Sequence, residues 1–212
     1  MITPNTVPVS DENAAVHAIV LAFSADPAAR WLYSNPHQYL TNFPRFVRAF
    51  AGAAFKQGSA DCVENYSGVA LWLPPGIHSE DKALIELLQQ TVPEPDQAGV
   101  FGVLEQMDAY HPAEPHWYLP MIGVDPARQG KGYGSALLKH ALARCDRDDK
   151  LAYLESSNPK NIPLYKRHGF ELLGTIRVGS SPPLFPMVRK PRPVLLRAEL
   201  DLQENSLSKG WA

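Results

Sequence analysis

The stretch Trp117-Tyr-Leu-Pro-Met-Ile-Gly-Val-Asp-Pro-Ala-Arg-Gln-Gly-Lys-Gly-Tyr-Gly-Ser-Ala-Leu-Leu138 carries the fold of this chain. An apolar, strand-like run ends at Val124, where Asp125-Pro126 breaks it. A glycine-rich turn, Gln129-Gly-Lys-Gly-Tyr-Gly134, leads straight into an amphipathic helix. Ala136, Leu137, Leu138, Ala141, Leu142 and Cys145 give that helix an apolar stripe near 3.6-residue spacing. Strand, glycine turn and helix N-terminus together suit a phosphate. Glycine lets the backbone turn sharply so that successive N–H groups converge on an anion, and the helix dipole adds partial positive charge there.

Several loops share this outline, and spacing separates them. The Walker-type loop requires Gly-Lys-Ser/Thr after a four-residue gap, and Gly132-Tyr-Gly-Ser lacks the lysine. A dinucleotide fingerprint ends in glycine or alanine. The frame from Gly130 puts Ser135 in that place, and the frame from Gly132 puts Leu137 there. The pattern Q/R-x-x-G-x-G/A fits, as Gln129-Gly-Lys-Gly132-Tyr-Gly134. A tight strand-to-helix turn without ligand is the plain alternative.

Downstream, Leu151-Ala-Tyr-Leu-Glu-Ser156 reads as a buried strand, followed by Asn158-Pro-Lys-Asn-Ile-Pro-Leu-Tyr-Lys-Arg-His-Gly-Phe170. The two motifs, in this order and spacing, resemble the GNAT (GCN5-related) N-acetyltransferase family. The resemblance is strong from Pro115 to Ile176 and weak over 10–190. The wording of Pro-His-Trp-Tyr-Leu119, Leu-Glu-Ser-Ser-Asn-Pro159 and Leu-Tyr-Lys-Arg-His-Gly-Phe170 is most similar to the branch containing puromycin N-acetyltransferase.

Composition bounds the rest. A chain of 212 residues suits one domain with a full core, or one domain and an appendage. Residues 1–192 read as one domain, and 193–212 as a C-terminal extension beyond the family's usual end: a surface tail, a helix packed on the domain, or a homodimer contact. The net charge of −2 offers no basic face for nucleic acid. Cys62 and Cys145 show no metal-ligand spacing and read as buried thiols, so no metal is expected. No apolar run is long enough for a membrane span and no signal pattern opens the chain, so a cytoplasmic location is expected.

Along the chain, Met1 to Pro8 reads as a short strand. Ser10-Asp-Glu starts a helix by N-cap chemistry, Ala25 to Pro36 reads as a loop, and Tyr39 to Phe55 reads as a second helix that Pro44 splits or kinks. Strands at 61–66 and 69–73 are joined at Ser67-Gly68, and two helical stretches, 79–91 and 100–110, flank a Pro-Glu-Pro break. A helix to about Asp148, a strand at 151–156, a short helix around 162–168, and strands near 170–178 and 184–190 complete the order. This pattern predicts an α/β (mixed α+β) architecture, with a mixed sheet and helices on both faces. The resemblance sharpens it to the GNAT fold: six to seven mostly antiparallel strands, split between the fourth and fifth.

The resemblance implies acetyl-CoA as coenzyme, with Ile122, Gly123 and Val124 exposing backbone groups to pantetheine and the acetyl carbonyl. Arg128, Gln129, Gly130, Lys131, Gly132, Tyr133, Gly134 and Ser135 would form the pyrophosphate loop. Gly123 leaves room for close approach, although a strand glycine also marks a plain bulge. Asn158 either contacts the coenzyme arm or caps the following turn. Acetyl transfer needs a base for the amine, donors for the oxyanion and a proton for the leaving thiolate. Tyr165 matches the tyrosine beside the CoA sulfur, and a phenol with a pKa of about 10 can act as the acid. Glu155, at a strand end, is the leading base candidate. His111 and His116 are more readily structural, and His168 reads as a surface residue.

The expected activity is direct acetyl transfer from acetyl-CoA to the primary amine of a small molecule, aminonucleoside-like or otherwise, through a ternary complex. No cysteine lies in the motifs to carry an acetyl-enzyme. Trp31, Tyr33, Phe43, Phe46, Trp72 and Trp117 are candidates for the acceptor pocket, or are simply core. One alternative is a GNAT-fold module that senses acyl-CoA without turnover. Another is a Rossmann-type nucleotide binder, opposed by the glycine frame and by the missing early β-α-β unit.

Overall fold

A computed structural model describes residues 2–192; the extension expected at 193–212 lies outside the described residues. In chain order the elements are β1 (Asn5–Thr6), α1 (Glu12–Ala22), α2 (Pro27–Leu32), α3 (Pro36–Ala51), α4 (Ala53–Lys56), β2 (Ala60–Val63) and β3 (Gly68–Leu73). Then come α5 (Asp81–Thr91), α6 (Glu94–Tyr110), β4 (His116–Val124), α7 (Tyr133–Arg147), β5 (Leu151–Ser156), α8 (Ile162–Arg167), β6 (Glu171–Leu172) and β7 (Phe185–Arg189). The strands form one sheet in the order β1-β2-β3-β4-β5-β7-β6, antiparallel throughout except for the parallel pair β4–β5. Helices cover both faces, as the order of elements predicts. No helix among the described residues is long and apolar enough to cross a membrane.

Side-chain alternation assigns the faces. Val69, Leu71 and Leu73 of β3 join the core beneath α1 and α3, while Ala70 and Trp72 join the core beneath α7. In β4 this phase slips by one. Trp117 and Leu119 point to the α7 side and Tyr118 to the other, yet Met121 again faces the α1 side. The register agrees: Leu71 pairs with Met121 and Leu73 with Tyr118, so two residues of β4 oppose Trp72. Pro120, with no N–H to donate, sits in this bulge.

The bulge marks the place where the sheet opens. β4 and β5 pair only over His116–Leu151, Trp117–Ala152 and Tyr118–Tyr153. Beyond Tyr118 both strands continue, but no further pair joins them among the described residues. The split expected between the fourth and fifth strands is therefore present.

Several expectations need correction. Residues 27–32 form α2, capped by Asp26 Oδ1, which accepts from the N–H groups of Ala28 and Ala29, with Pro27 at the first turn. The loop signals Asp-Pro and Asn-Pro are here two helix starts, since Asn35 caps α3 in the same way. α3 runs through Pro44 as one element. The β2–β3 turn lies at Glu64–Ser67, where Glu64, Asn65 and Tyr66 all have positive φ. Two helices do flank the Pro-Glu-Pro break, but α6 begins at Glu94, within it, rather than at Val100. Ser10 does not cap α1; its hydroxyl donates to Asp11. Cys145 is buried as expected, whereas Cys62 is only half-buried.

Candidate active site

The opening between β4 and β5 leads into a cavity of about 790 Å³ bounded by the glycine turn, β4, β5, α3 and α6. One end is built for an anion. Gly130 and Gly132 have φ of +76° and +87°, left-handed values that glycine adopts without strain. A side chain at Gly130 would meet nothing within 4 Å, so the turn is open on that side. Gly132 is the N-cap of α7, and Ala136 is the residue whose N–H bonds back to the Gly132 carbonyl. The N–H groups of Tyr133, Gly134 and Ser135 thus precede the helical ladder, and all three residues line the cavity. Free donors, positive φ and the helix dipole together form a cradle that fits a pyrophosphate.

Ile122, Gly123, Val124, Arg128 and Gln129 line the same cavity; Lys131 does not. The Lys131 ammonium lies 3.5 Å from the Ala127 carbonyl on the exposed side of the turn. Gln129 donates to the Val124 carbonyl, tying the turn to the end of β4. Tyr133 turns its phenol away to donate to Glu64. Gly123 has a packing reason beyond ligand approach: a Cβ there would lie 2.6 Å from Cβ of Ala22 in α1. Asn158 lines the cavity and also caps the turn after β5, accepting from the Lys160 N–H at 3.0 Å. Both readings of that residue are compatible with its position.

Tyr165 of α8 lines the cavity and is 5% exposed. Burial, reinforced by the charge of Asp26, pushes its phenol well above the usual range, so it stays protonated. His168 is half-buried rather than on the surface. Its Nε2 lies 2.8 Å from Ser135 Oγ, and burial with the nearby cations Lys139, Arg167, Arg189 and Arg192 lowers its pKa to about 4.

Glu155 lies at the other end, its side chain 3% exposed. Tyr118 donates to Glu155 Oε2 at 2.8 Å, and Oε1 has no hydrogen-bond partner among the described residues. Burial first, and then the Glu155 charge, push the Tyr118 phenol far up, which keeps it a donor. His111 Nε2 approaches Oε1 at 3.5 Å. Asp26, whose Oδ2 accepts from Ser157, is a second carboxylate on the cavity wall; burial raises its pKa against the hydrogen bonds from Ser157, Ala29 and Ala28.

Between these ends runs a ladder of rings. Phe23, Phe43, Phe46 and Phe50 follow one another with centroids 5.9, 5.7 and 5.3 Å apart, and Phe50 meets Tyr118 edge-on at 6.2 Å. Tyr118 in turn holds Glu155. Of the six aromatics considered for the pocket, Trp31, Phe43 and Phe46 line it. Tyr33 is buried against Thr91, and Trp72 and Trp117 belong to the core on the α7 face. Tyr118, Phe23 and Phe50 were not singled out from the sequence. Tyr118 stands in the quoted stretch, and period-two alternation places it on the opposite face from Trp117.

Residues 84–170 match the sequence model of the acetyltransferase (GNAT) family. An uncharacterized N-acetyltransferase of Schizosaccharomyces pombe is 27% identical over 202 residues, covering 87% of this chain and 82% of the relative. The solved structure of histone acetyltransferase HPA2 and related acetyltransferase from Corynebacterium glutamicum superposes with a TM-score of 0.64 at 26% identity, covering 90% and 97% of the two chains. Arylalkylamine N-acetyltransferase 2 of Aedes aegypti shares the fold at 14% identity, with a TM-score of 0.64 over 90% and 99% of the two chains. Sequence match, relatives and sheet topology support the GNAT acetyltransferase family for this chain, and its fold is the GNAT fold.

Proposed function

We propose that residues 1–192 act as one acetyl-CoA-dependent N-acetyltransferase domain, transferring acetyl directly to the primary amine of a small molecule that has an apolar or aromatic body. The observation that carries this reading is the ring ladder ending at a buried, partly unpartnered carboxylate, opposite an anion cradle across one cavity. Acetyl-CoA supplies the activated acyl group when bound. The turn from Arg128 to Ser135 holds its pyrophosphate through backbone N–H groups, and the β5-facing edge of Ile122–Val124 orients the pantetheine arm. Asn158 borders that arm. The apolar wall formed by Phe23, Phe43 and Phe46 seats the body of the amine and keeps water from its reacting end.

Glu155 acts as the base. An ammonium entering the apolar chamber loses its proton to Glu155, whose Oε1 is left without a hydrogen-bond partner by the geometry of the described residues. Tyr165, held neutral by burial, protonates the departing thiolate. The sequence resemblance to the puromycin-type branch supports an aminonucleoside as one such amine, and the intracellular origin of acetyl-CoA supports a cytoplasmic location.

The test is thiol release from acetyl-CoA with an arylalkylamine, an aminonucleoside and a polyamine as acceptors. Turnover with either of the first two, and little with the polyamine, is expected. Saturable acetyl-CoA binding without thiol release for any amine would instead favour an acyl-CoA sensor. Glu155→Gln should lower kcat by about 10²- to 10⁴-fold and leave the acetyl-CoA dissociation constant unchanged. Wild-type kcat in that variant would exclude Glu155 as the base.

A further inference from the structure

Glu155, whose side chain is 3% exposed, borders the cavity that the amine would fill, and a line of contacts leads away from it. His111 Nε2 faces Glu155 Oε1 at 3.5 Å, His111 Nδ1 lies 3.0 Å from His116 Nε2, and His116 Nδ1 lies 2.8 Å from the Glu114 carbonyl oxygen. A carbonyl only accepts, so His116 Nδ1 carries a proton and donates it. The Nε2 of neutral His116 then presents a lone pair and accepts from His111 Nδ1–H. His111 Nε2 is left as a lone pair aimed at Glu155. The backbone carbonyl of Glu114 thereby sets both tautomers and points a basic nitrogen at the buried carboxyl.

We propose that His111 relays the proton that Glu155 takes from the amine to solvent, with His116 as the positioning residue that holds the His111 tautomer. This rests on the reading of Glu155 as base. In the step, an amine N–H bond breaks and an O–H bond forms on Glu155. That O–H breaks as an N–H forms at His111 Nε2. The imidazolium, whose ring is 27% exposed, then turns Nε2 away from Glu155 and gives that proton to water or buffer, which leaves His111 in its starting Nδ1–H tautomer once the ring swings back. Tyr118 occupies the other carboxylate oxygen, so Oε1 is the oxygen through which the proton leaves. The gap of 3.5 Å is long for a formed hydrogen bond and matches a contact that tightens when the acceptor binds.

The surroundings favour a neutral His116. Tyr118 meets the His111 ring edge-on at 4.5 Å, and Tyr153 lies 4.5 Å from His111 and 5.8 Å from His116. Both phenols are held protonated by burial and by the Glu155 charge. Tyr110 acts electrostatically on Tyr153, and His78 on His116. Burial lowers the pKa of His116, with the Glu114 carbonyl and the Glu155 charge opposing and His111 and His78 adding to the shift. A neutral His116 is what the tautomer chain requires.

The experiment has two arms. In the first, ¹⁵N NMR of the imidazole rings in the full chain at pH 7.5 assigns the tautomers. Nδ1–H forms at both His111 and His116 are expected; an Nε2–H form at His111 would overturn the relay whatever the activity. In the second, His111→Gln and His116→Gln are assayed with 2-phenylethylamine in dilute buffer and with increasing imidazole. At low buffer His111→Gln should lose at least 10-fold in kcat with the KM for acetyl-CoA unchanged, and imidazole should restore much of it. His116→Gln should show a smaller loss and an altered pH profile. Wild-type kcat at low buffer in His111→Gln, or a loss that imidazole does not reverse in a folded variant, would overturn the proposal. If the wild-type chain acetylates no amine, the functional reading fails, and the tautomer assignment still decides the relay geometry.

Discussion

Gly132 illustrates how one residue serves conformation and chemistry together. Its φ of +87° places it in the left-handed region, and it is the N-cap of the helix whose first N–H groups border the cavity. Gly132→Ala should cost about 1–2 kcal/mol in strain alone. Gly132→Asp adds a carboxylate beside the proposed pyrophosphate cradle, and should weaken acetyl-CoA binding on the order of 100-fold, about 2.7 kcal/mol, by calorimetry. Equal affinity in both variants would leave no electrostatic role for this corner. His168 makes a separate prediction. Its pKa falls from the ordinary 6.5 to about 4 in the folded chain. Between those values the unfolded chain binds a proton that the folded chain does not, so this group makes stability fall as pH drops through that window. His168→Gln should flatten the decline in denaturant midpoint between about pH 6.5 and 4, relative to the parent. Parallel curves would show that the histidine titrates normally.

At the level of elements, the site is made by a mismatch between two strands. β4 and β5 stay paired through Tyr118–Tyr153, and the bulge at Pro120 shifts the β4 phase just beyond that point. Their separation exposes the backbone edge that the coenzyme arm would meet and brings Glu155 beside Tyr118. The other face of β4 is held by α1, and Gly123 is the contact that allows it. Gly123→Ala should push α1 outward and destabilise the fold by about 1–3 kcal/mol, the usual range for overpacking, read from the urea midpoint. Adding Ala22→Gly should recover part of that loss. Loss of acetyl-CoA affinity in Gly123→Ala without any loss of stability would instead assign the glycine to ligand approach.

For the whole molecule, the cavity links binding to stability. The glycine turn, β4, β5 and α8 contribute to one side, and α1, α2, α3 and α6 with their connections build the other. A ligand spanning the cavity ties these parts together and is absent from the unfolded state. Acetyl-CoA at 100 times its dissociation constant should stabilise the fold by about 2.7 kcal/mol, raising Tm by several degrees. NAD, with a pyrophosphate but no pantetheine arm, should give a smaller shift. Equal shifts would mean that only the anion cradle is being read.

The glycine loop, the α7 stripe, β5 and the Asn158–Phe170 segment were legible along the chain because each depends on local spacing. Positive φ at Gly132, helical periodicity and the order of two motifs need no distant partner. The sheet split was reached through the resemblance; its local cause, the bulge at Pro120, was not read, since a one-residue phase slip shows only against a neighbouring strand. α2 was missed because Asp26 and Asn35 read equally well as loop residues and as caps. Only the tertiary structure joined His111, His116, Glu155 and Tyr118, which come from α6–β4, β4 and β5. It alone separated the ring ladder of Phe23, Phe43, Phe46 and Phe50 from Tyr33, Trp72 and Trp117. Composition makes all of these core aromatics, and whether a ring faces a cavity or another side chain is decided by packing across elements distant in sequence.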